Sequence, residues 1–289
     1  MPISIPFHLL SVQSSVAYGH VGNNAAVFPL QLLGAEVWPV NTVHFSNHTG
    51  YGAWRGIILP LEAVSEILRG IEERGVFPQC AGVLSGYLGD ASLGEAILAT
   101  LARIRQYNPH AAYCCDPVMG DVGRGFFVRP GIPEFMRDRA VPSATMTTPN
   151  QFELEFLTGA RVTTLASALE AVQGLRPRGP AIVLVKSLRH ADTPGNEIEM
   201  LAVGPGEAYL VATPLLPIQV NGAGDATAAL FFAHYLLTGS IKGALEATAN
   251  SIFAVLEKTV EMQTREIQLV AAQSAIVAPP RRFHARRVA

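Results

Sequence analysis

The sequence is poor in charged residues and in cysteine, and both shortages narrow what the chain can be. Of its 289 residues only 15% are charged, 49% are hydrophobic, and the formal net charge is -2. We therefore expect a globular protein with a large core and no nucleic-acid partner. The three cysteines, Cys80, Cys114 and Cys115, are an odd number without paired metal spacing. Buried thiols in a reducing cytosol are expected.

Targeting and membrane-spanning signals are also missing. The first residues, MPISIPFHLL, lack the basic region and long apolar core of a signal peptide. Nowhere does the sequence reach the roughly 18 consecutive apolar residues of a spanning helix. A cytoplasmic protein without a membrane partner is expected. The basic stretch RRFHARRVA follows a Pro-Pro pair, and it predicts a short solvated tail at about 279–289.

Several catalytic motifs are absent as well. The sequence has no G-x-x-x-x-G-K-[ST], G-x-S-x-G, H-E-x-x-H or paired C-x-x-C. His44 and His48 could share a metal only on a helix, and the Asn, Ser, Thr and Gly around them disfavour one. Any phosphate chemistry must therefore use an architecture other than a Walker loop.

What the sequence does contain is an alternation of short apolar strands and amphipathic helices. Strands are predicted at 8–14, 36–43, 81–86, 111–117, 144–150 and 181–187, helices at 23–34, 90–109 and from about 151, a hairpin over 198–213, and a mainly helical region from about 225 to 274. This alternation predicts an α/β fold, a three-layer α/β/α sandwich with a mostly parallel central sheet. No linker divides the chain, so a single domain over residues 1–289 is expected.

Polar side chains collect where the predicted strands end. Ser14, Asp116, Asn150 and Lys186 hold such positions, and Glu153 lies about one turn into the following helix. Ligands of open α/β sheets bind beyond the carboxyl ends of the strands. The two carboxylates suit a Mg²⁺ ion that shares substrate phosphates. A turn aspartate and a surface glutamate would produce the same pattern.

The stretch VNGAGDATAAL places two glycines, Gly222 and Gly224, directly before a helical run. Glycines let a ligand approach the main chain, and the amides at a helix N-terminus attract anions. Asp225 is then either a catalytic base beside a phosphate or a helix cap that contributes about 1 kcal/mol. The stretch alone does not separate these two interpretations.

Together these segments resemble the pyridoxal kinases of the ribokinase-like superfamily, in their shorter bacterial type. The matching stretches are SVQSSVAYGHVGNNAAVFPLQLLGAEVWPVNTVHFSNHTGYGAW, VLSGYLG, CDPVMGD, TPNQFELEFLTG and NGAGDATAALFFAHYL. The resemblance implies a ribokinase-like fold and ATP-dependent phosphorylation of the 5′-hydroxymethyl group of pyridoxal, in vitamin B6 salvage. It leaves pyridoxine and pyridoxamine open as further acceptors. It also implies Mg²⁺ and a homodimer, and leaves a monovalent cation such as K⁺ open.

The resemblance implies roles for individual residues. Asp225 matches the general base, and Gly222, Ala223 and Gly224 match the amides that stabilise the transferring phosphoryl group. The pyridoxal side would comprise Ser14, Val21, Val43, Thr49, Gly50, Tyr87 and Asp225. The ATP side would comprise Asp116, Thr148, Glu153, Lys186, Thr213, Pro214, Leu215 and Leu216, with Asp116 and Glu153 also holding the metal.

Three departures from the family pattern keep alternatives open. Ser15 stands where many relatives have His, Ala223 lies between the glycines as in sugar kinases, and the loop after Thr213 is a few residues shorter. A sugar kinase would explain NGAGD but not FSNHTGYGAW. Kinases of hydroxymethylpyrimidine often carry Cys in place of Asp225. A protein that sequesters pyridoxal with little turnover, with Lys186 as a Schiff-base lysine, is the alternative outside the enzymes.

Overall fold

The computed structural model describes residue 4 and residues 6–289. Within them the strands are β1 (Phe7–Val16), β2 (Ala35–Phe45), β3 (Gly56–Ile58), β4 (Cys80–Ser85), β5 (Ala112–Cys115), β6 (Gly120–Asp121), β7 (Gly125–Phe126), β8 (Met146–Thr147), β9 (Ile182–Leu188), β10 (Glu197–Gly204), β11 (Glu207–Pro214) and β12 (Arg286–Arg287). The α-helices are α1 (Asn23–Leu32), α2 (Leu61–Glu73), α3 (Ala91–Tyr107), α4 (Ile132–Phe135), α5 (Val141–Ser143), α6 (Gln151–Thr158), α7 (Leu165–Leu175), α8 (Ala223–Thr238), α9 (Ile241–Glu261) and α10 (Gln273–Val277).

One ten-stranded sheet organises the chain, in the order β12-β11-β10-β9-β8-β5-β4-β1-β2-β3. The strands from β2 through β9 in that order pair in parallel. β10, β11 and β12 continue the sheet antiparallel on one side, and β3 closes the other side antiparallel. β6 and β7 form a separate hairpin. The predicted mostly parallel sheet is confirmed.

Helices cover both faces of this sheet and form two large apolar clusters with it. Leu101 of α3 belongs to the cluster on one face, together with side chains from α2, α6 and α7. Leu30 of α1 and Phe232 of α8 belong to the cluster on the other face. Cys114 and Cys115 lie in opposite clusters, since neighbouring strand residues point to opposite faces. The three-layer arrangement is therefore confirmed, and all three cysteines are buried thiols.

Two long helices, α2 and α7, and the short α4 and α5 lie where the sequence pattern predicted no element. α2 buries Val64 and Leu68 on one face, and its outer face is polar. α7 begins with a capping box between Thr164 and Ser167. Both complete the helical layer on one face of the sheet. Across residue 4 and residues 6–289, none of the helices combines the length and apolar character needed to cross a membrane.

The C-terminal segment, expected to be a solvated tail, is instead docked on the body of the protein. Arg286–Arg287 pairs with β11 as an additional strand. The Asn250 side chain bonds both the N–H and the carbonyl of Phe283, at 3.0 and 2.9 Å. The Phe283 ring packs 4.8 Å from that of Phe253. The Arg286 and Arg287 side chains are exposed, but the main chain of the segment and the Phe283 ring make contacts that a solvated tail lacks.

Candidate active site

A cleft of about 1110 Å³ lies at the carboxyl ends of the parallel strands. It collects nearly all residues that the sequence singled out. Its lining includes Ser14, Val21, Val43, Thr49, Gly50, Tyr87, Asp116, Glu153, Lys186, Thr213, Pro214, Leu215, Leu216, Gly222, Ala223, Gly224 and Asp225. Thr148 is the exception, because it is buried beneath the cleft and its hydroxyl donates to Asp116 Oδ1 at 2.9 Å. It supports the site from behind.

Asp225 lies in the first turn of α8 and does not cap that helix. The capping position belongs to Gly222, whose φ of 85° is in the left-handed region. A side chain at Gly222 would overlap the carbonyl oxygen of His20, so only glycine fits. The Asp225 carboxylate instead accepts a hydrogen bond from the Gly22 N–H at 3.0 Å, through Oδ2. The cap interpretation of Asp225 is wrong, and its carboxylate faces the cleft.

The surroundings of Asp225 shift its titration toward neutral pH. Burial raises the pKa of Asp225 to about 6, and the nearby Asp116 carboxylate adds to that rise. The Gly22 N–H and the Lys186 ammonium act in the opposite direction and favour the ionised form. At neutral pH the carboxylate is therefore mainly ionised, and it can accept a proton.

A buried ion pair lies next to this carboxylate. Lys186 Nζ is 2.6 Å from Asp116 Oδ1, and both side chains are almost fully buried. Burial alone would lower the pKa of Lys186, but the carboxylates of Asp116 and Glu153 outweigh it and raise that pKa. Lys186 is therefore a fixed positive charge on the cleft wall, 3.5 Å from the Gly224 carbonyl. The other oxygen of Asp116 is buried without a hydrogen-bond partner among the described residues.

Glu153 is the second carboxylate of this group and is held by the main chain. Its two oxygens accept from the N–H groups of Met119, at 3.1 Å, and Asn150, at 2.8 Å. The Asn150 contact belongs to the capping box that starts α6. Burial and the neighbouring Asp116 carboxylate outweigh the Lys186 ammonium and together raise the pKa of Glu153 to about 8.

The opposite end of the cleft is apolar. Val16, Val21, Val43 and Phe45 form a small buried cluster, and Tyr87 packs against it. Thr49 and Gly50 lie in a short 3₁₀ turn, Thr49–Tyr51, whose cap is the preceding histidine. Ser15 does not line the cleft, because its hydroxyl donates to Asn24 Oδ1 at 2.9 Å. The Ser15 departure from the family pattern therefore lies outside the cleft lining.

Several lining residues have no counterpart among the sequence predictions. The β6–β7 hairpin contributes Asp121, Val122 and Arg124 to the wall, and Arg265 contributes from the turn after α9. The glycines of GDVGRG signalled a loop after Asp116, but they did not show that it folds back over the cleft. No local pattern marks Arg265.

The chain is similar in sequence and in fold to known pyridoxal kinases. Residues 74–269 match the family model described as phosphomethylpyrimidine kinase. The chain is 65% identical to a pyridoxal kinase of Rubrobacter xylanophilus over 98% of each chain. It is 54% identical to that of Deinococcus radiodurans, over 99% of this chain and 98% of the relative. A solved pyridoxal kinase from Leishmania donovani, in complex with ADP and pyridoxamine, superposes with a TM-score of 0.90 at 30% identity, over 98% and 99% of the two chains. The chain belongs to the pyridoxal kinase family.

Proposed function

We propose that the chain transfers the γ-phosphoryl group of ATP to the 5′-hydroxyl of pyridoxal, giving ADP and pyridoxal 5′-phosphate. The observation that carries this proposal is the position of Asp225. Its ionised carboxylate lies between an apolar end of the cleft that suits an aromatic ring and a Lys186–Asp116 pair that suits phosphates.

Asp225 acts as the general base in this proposal. It accepts the hydroxyl proton as the oxygen bonds to the γ-phosphorus and the bond from that phosphorus to the ADP oxygen breaks. The main-chain amides of Gly222, Ala223 and Gly224 stabilise negative charge on the transferring group at the start of α8. Lys186 binds ATP phosphate oxygens as a point charge. Because its pKa is raised, it is a poor amine nucleophile, which disfavours the Schiff-base alternative.

The residues beside this pair fit a bound Mg²⁺. No group of three or more His, Cys, Asp or Glu side chains is gathered anywhere in residue 4 and residues 6–289. Magnesium suits such a site, since it takes most of its ligands from water and from substrate phosphates. The unpartnered oxygen of Asp116 would bind the ion or its water, and Glu153, held by two N–H groups, would act from further away. When bound, the ion would neutralise charge on the ATP phosphates.

The proposed range of substrates is wider than pyridoxal alone. We propose that pyridoxine and pyridoxamine are also accepted, since solved relatives from Leishmania donovani carry these molecules together with ADP. Hydroxymethylpyrimidine is the second candidate acceptor, because the matching family model is named for its phosphate. A K⁺ requirement stays a prediction.

One assay separates these functions. Purified protein with Mg-ATP is given pyridoxal, hydroxymethylpyrimidine or ribose, and ADP and the phosphorylated product are both measured. The proposal expects turnover with pyridoxal well above the other two. Tight pyridoxal binding without turnover would instead identify a sequestering protein.

The acid limb of the pH profile tests the base directly. Only ionised Asp225 can accept the proton, and its pKa is raised to about 6. We expect kcat/KM for pyridoxal to reach a plateau above that pH. Below it, kcat/KM should fall about tenfold per pH unit. Initial rates between about pH 4.5 and 8 measure the limb. A flat profile down to about pH 5 would contradict the assignment.

Replacing Gly22 with Ala should disturb the active site by moving the main-chain N–H that binds Asp225. Gly22 has a φ of 53°, and a side chain there would overlap the carbonyl oxygen and the hydroxyl of Ser14. Relief of that overlap moves the N–H that bonds Asp225, so we expect kcat/KM for pyridoxal to fall about tenfold or more. Gly70→Ala is the matched control, because nothing lies within 4 Å of its added methyl group. Equal kinetics for the two variants would rule out this role of Gly22.

We also propose a cytoplasmic homodimer in which each chain is a single kinase domain. Three buried thiols suit a reducing compartment, and the dimer rests on the family resemblance. Light scattering coupled to size-exclusion chromatography measures the assembly, and a mass near 30.8 kDa would indicate a monomer instead.

A further inference from the structure

The carboxylate of Glu266 joins two distant parts of the chain. The residue lies in the turn after α9 and is 9% exposed. Oε1 accepts from the Tyr51 hydroxyl at 2.6 Å, and Oε2 accepts from the His20 N–H at 3.0 Å. Both oxygens therefore have a donor, from segments more than 200 residues earlier in the sequence.

The segments that contain Tyr51 and His20 both contribute to the part of the cleft around Asp225 and the apolar end. Tyr51 closes the 3₁₀ turn that supplies Thr49 and Gly50 to the lining. Two residues after His20, the Gly22 N–H donates to Asp225. One oxygen of Glu266 therefore binds the turn that lines the cleft at Thr49 and Gly50. The other binds the segment whose Gly22 N–H holds the Asp225 carboxylate.

The turn that presents Glu266 is held by its own hydrogen bonds and by a buried neighbour. Its own carbonyl oxygen accepts from the Thr264 hydroxyl and from the Gln268 amide, each at 2.9 Å. The next residue, Ile267, is fully buried. A carboxylate on such a base can fix the position of the segments that bind it.

The two tethered segments are built to receive this carboxylate. Gly19 has a φ of 98°, and any side chain there would overlap Glu266 Oε2, so the approach depends on glycine. The Arg265 guanidinium lies 4.3 Å from the centre of the Tyr51 ring and holds it from the other side. The hydrogen bond to Glu266 raises the pKa of Tyr51 to about 12, so the hydroxyl stays a donor.

We propose that Glu266 is a positioning residue of the kinase reaction, which tethers the Thr49–Tyr51 turn and the chain before Gly22 around the pyridoxal ring. This inference rests on the pyridoxal kinase activity proposed above. Among the described side chains, no hydrogen bond links this carboxylate to Asp116 or Lys186 on the ATP side of the cleft, so we expect that side to keep its geometry when Glu266 is changed.

Glu266→Gln tests the tether with a side chain of equal size. The amide keeps one acceptor but turns an N–H₂ group toward one of the two donors. We expect kcat/KM for pyridoxal to fall about 10- to 100-fold, with the KM for ATP changed less than about twofold. Glu261→Gln is the control, because Glu261 is exposed and its salt bridge, to Lys258 at 2.8 Å, lies on the surface of α9. It should match the wild type.

Tyr51→Phe removes one contact without disturbing the fold, because the ring and its stacking on Arg265 remain. We expect the KM for pyridoxal to rise about tenfold with a smaller change in kcat. In the double variant with Glu266→Gln, the Tyr51→Phe change should add little further loss, since Glu266→Gln already disturbs the hydrogen bond to Tyr51. The single variant Tyr51→Phe decides the question if Glu266→Gln fails to fold.

Three results would overturn the tether. They are Glu266→Gln kinetics equal to those of Glu261→Gln, an equal loss toward ATP and pyridoxal, or an unchanged pyridoxal KM in Tyr51→Phe. A wild type without pyridoxal turnover would contradict the proposed function itself. An active wild type with unaffected variants would contradict only the role of Glu266.

Discussion

Asp225→Asn is expected to lower kcat for pyridoxal phosphorylation about a thousandfold. The amide can still accept from the Gly22 N–H, so the local fold survives, but it cannot take the hydroxyl proton. The dissociation constant of pyridoxal should change by less than about threefold, since the base acts in the transition state rather than in binding. Stopped or coupled assays of ADP formation measure kcat, and equilibrium titration measures binding.

A matched control keeps this result specific. Asp138 is an exposed aspartate paired with Arg137 at 2.8 Å. Asp138→Asn removes the same charge from the protein and should leave kcat unchanged. Activity of Asp225→Asn within about tenfold of the wild type would show that another group accepts the proton.

Lys186→Met should have the largest effect on stability. The change leaves the Asp116 carboxylate buried without its partner at 2.6 Å. Breaking a buried pair in this way costs about 3–5 kcal/mol in the free energy of unfolding. Urea unfolding of variant and wild type at pH 8 measures the difference.

The pH dependence of that loss identifies its cause. Burial raises the pKa of Asp116, and removing the ammonium raises it further. An acid whose folded pKa lies above its unfolded value destabilises the fold above the unfolded pKa. The loss in Lys186→Met should therefore shrink as the pH falls from 8 through the raised folded pKa of Asp116 toward about 4, near its unfolded pKa.

Two further variants serve as a rescue and as a control for the loss of stability in Lys186→Met. Adding Asp116→Asn to Lys186→Met removes the stranded charge and should recover much of the lost stability. Lys258→Met, at an exposed lysine on α9, should cost less than about 0.5 kcal/mol. A loss in Lys186→Met that is independent of pH would mean that lost packing, and not charge, causes it.

Local sequence signals located much of the fold and one half of the site. The strands are short and apolar, and polar residues follow them at their carboxyl ends. Asp116 and Lys186 could therefore be placed at the same edge of a parallel sheet. The glycines before α8 likewise predicted free amides at a helix start.

The remaining part of the site depends on contacts between distant residues. Nothing near Gly22 in the sequence indicates that its N–H bonds a residue 203 positions later. Glu266 follows the recognised stretches and has no motif around it, because its partners come from two earlier loops. Thr148, which the resemblance assigned to the ATP side, acts on the cleft through its hydrogen bond to Asp116, and only the fold shows that contact.

The docked C-terminal segment has a consequence for the solubility of the protein. β11 carries eight residues, and the Arg286–Arg287 strand pairs with Tyr209 and Leu210 on its outer edge, whereas the opposite edge of the sheet is the three-residue β3. Long uncovered edges recruit strands from other molecules, and short ones do not. We therefore expect the basic residues predicted to form a solvated tail to shield part of this edge from pairing with other copies of the chain.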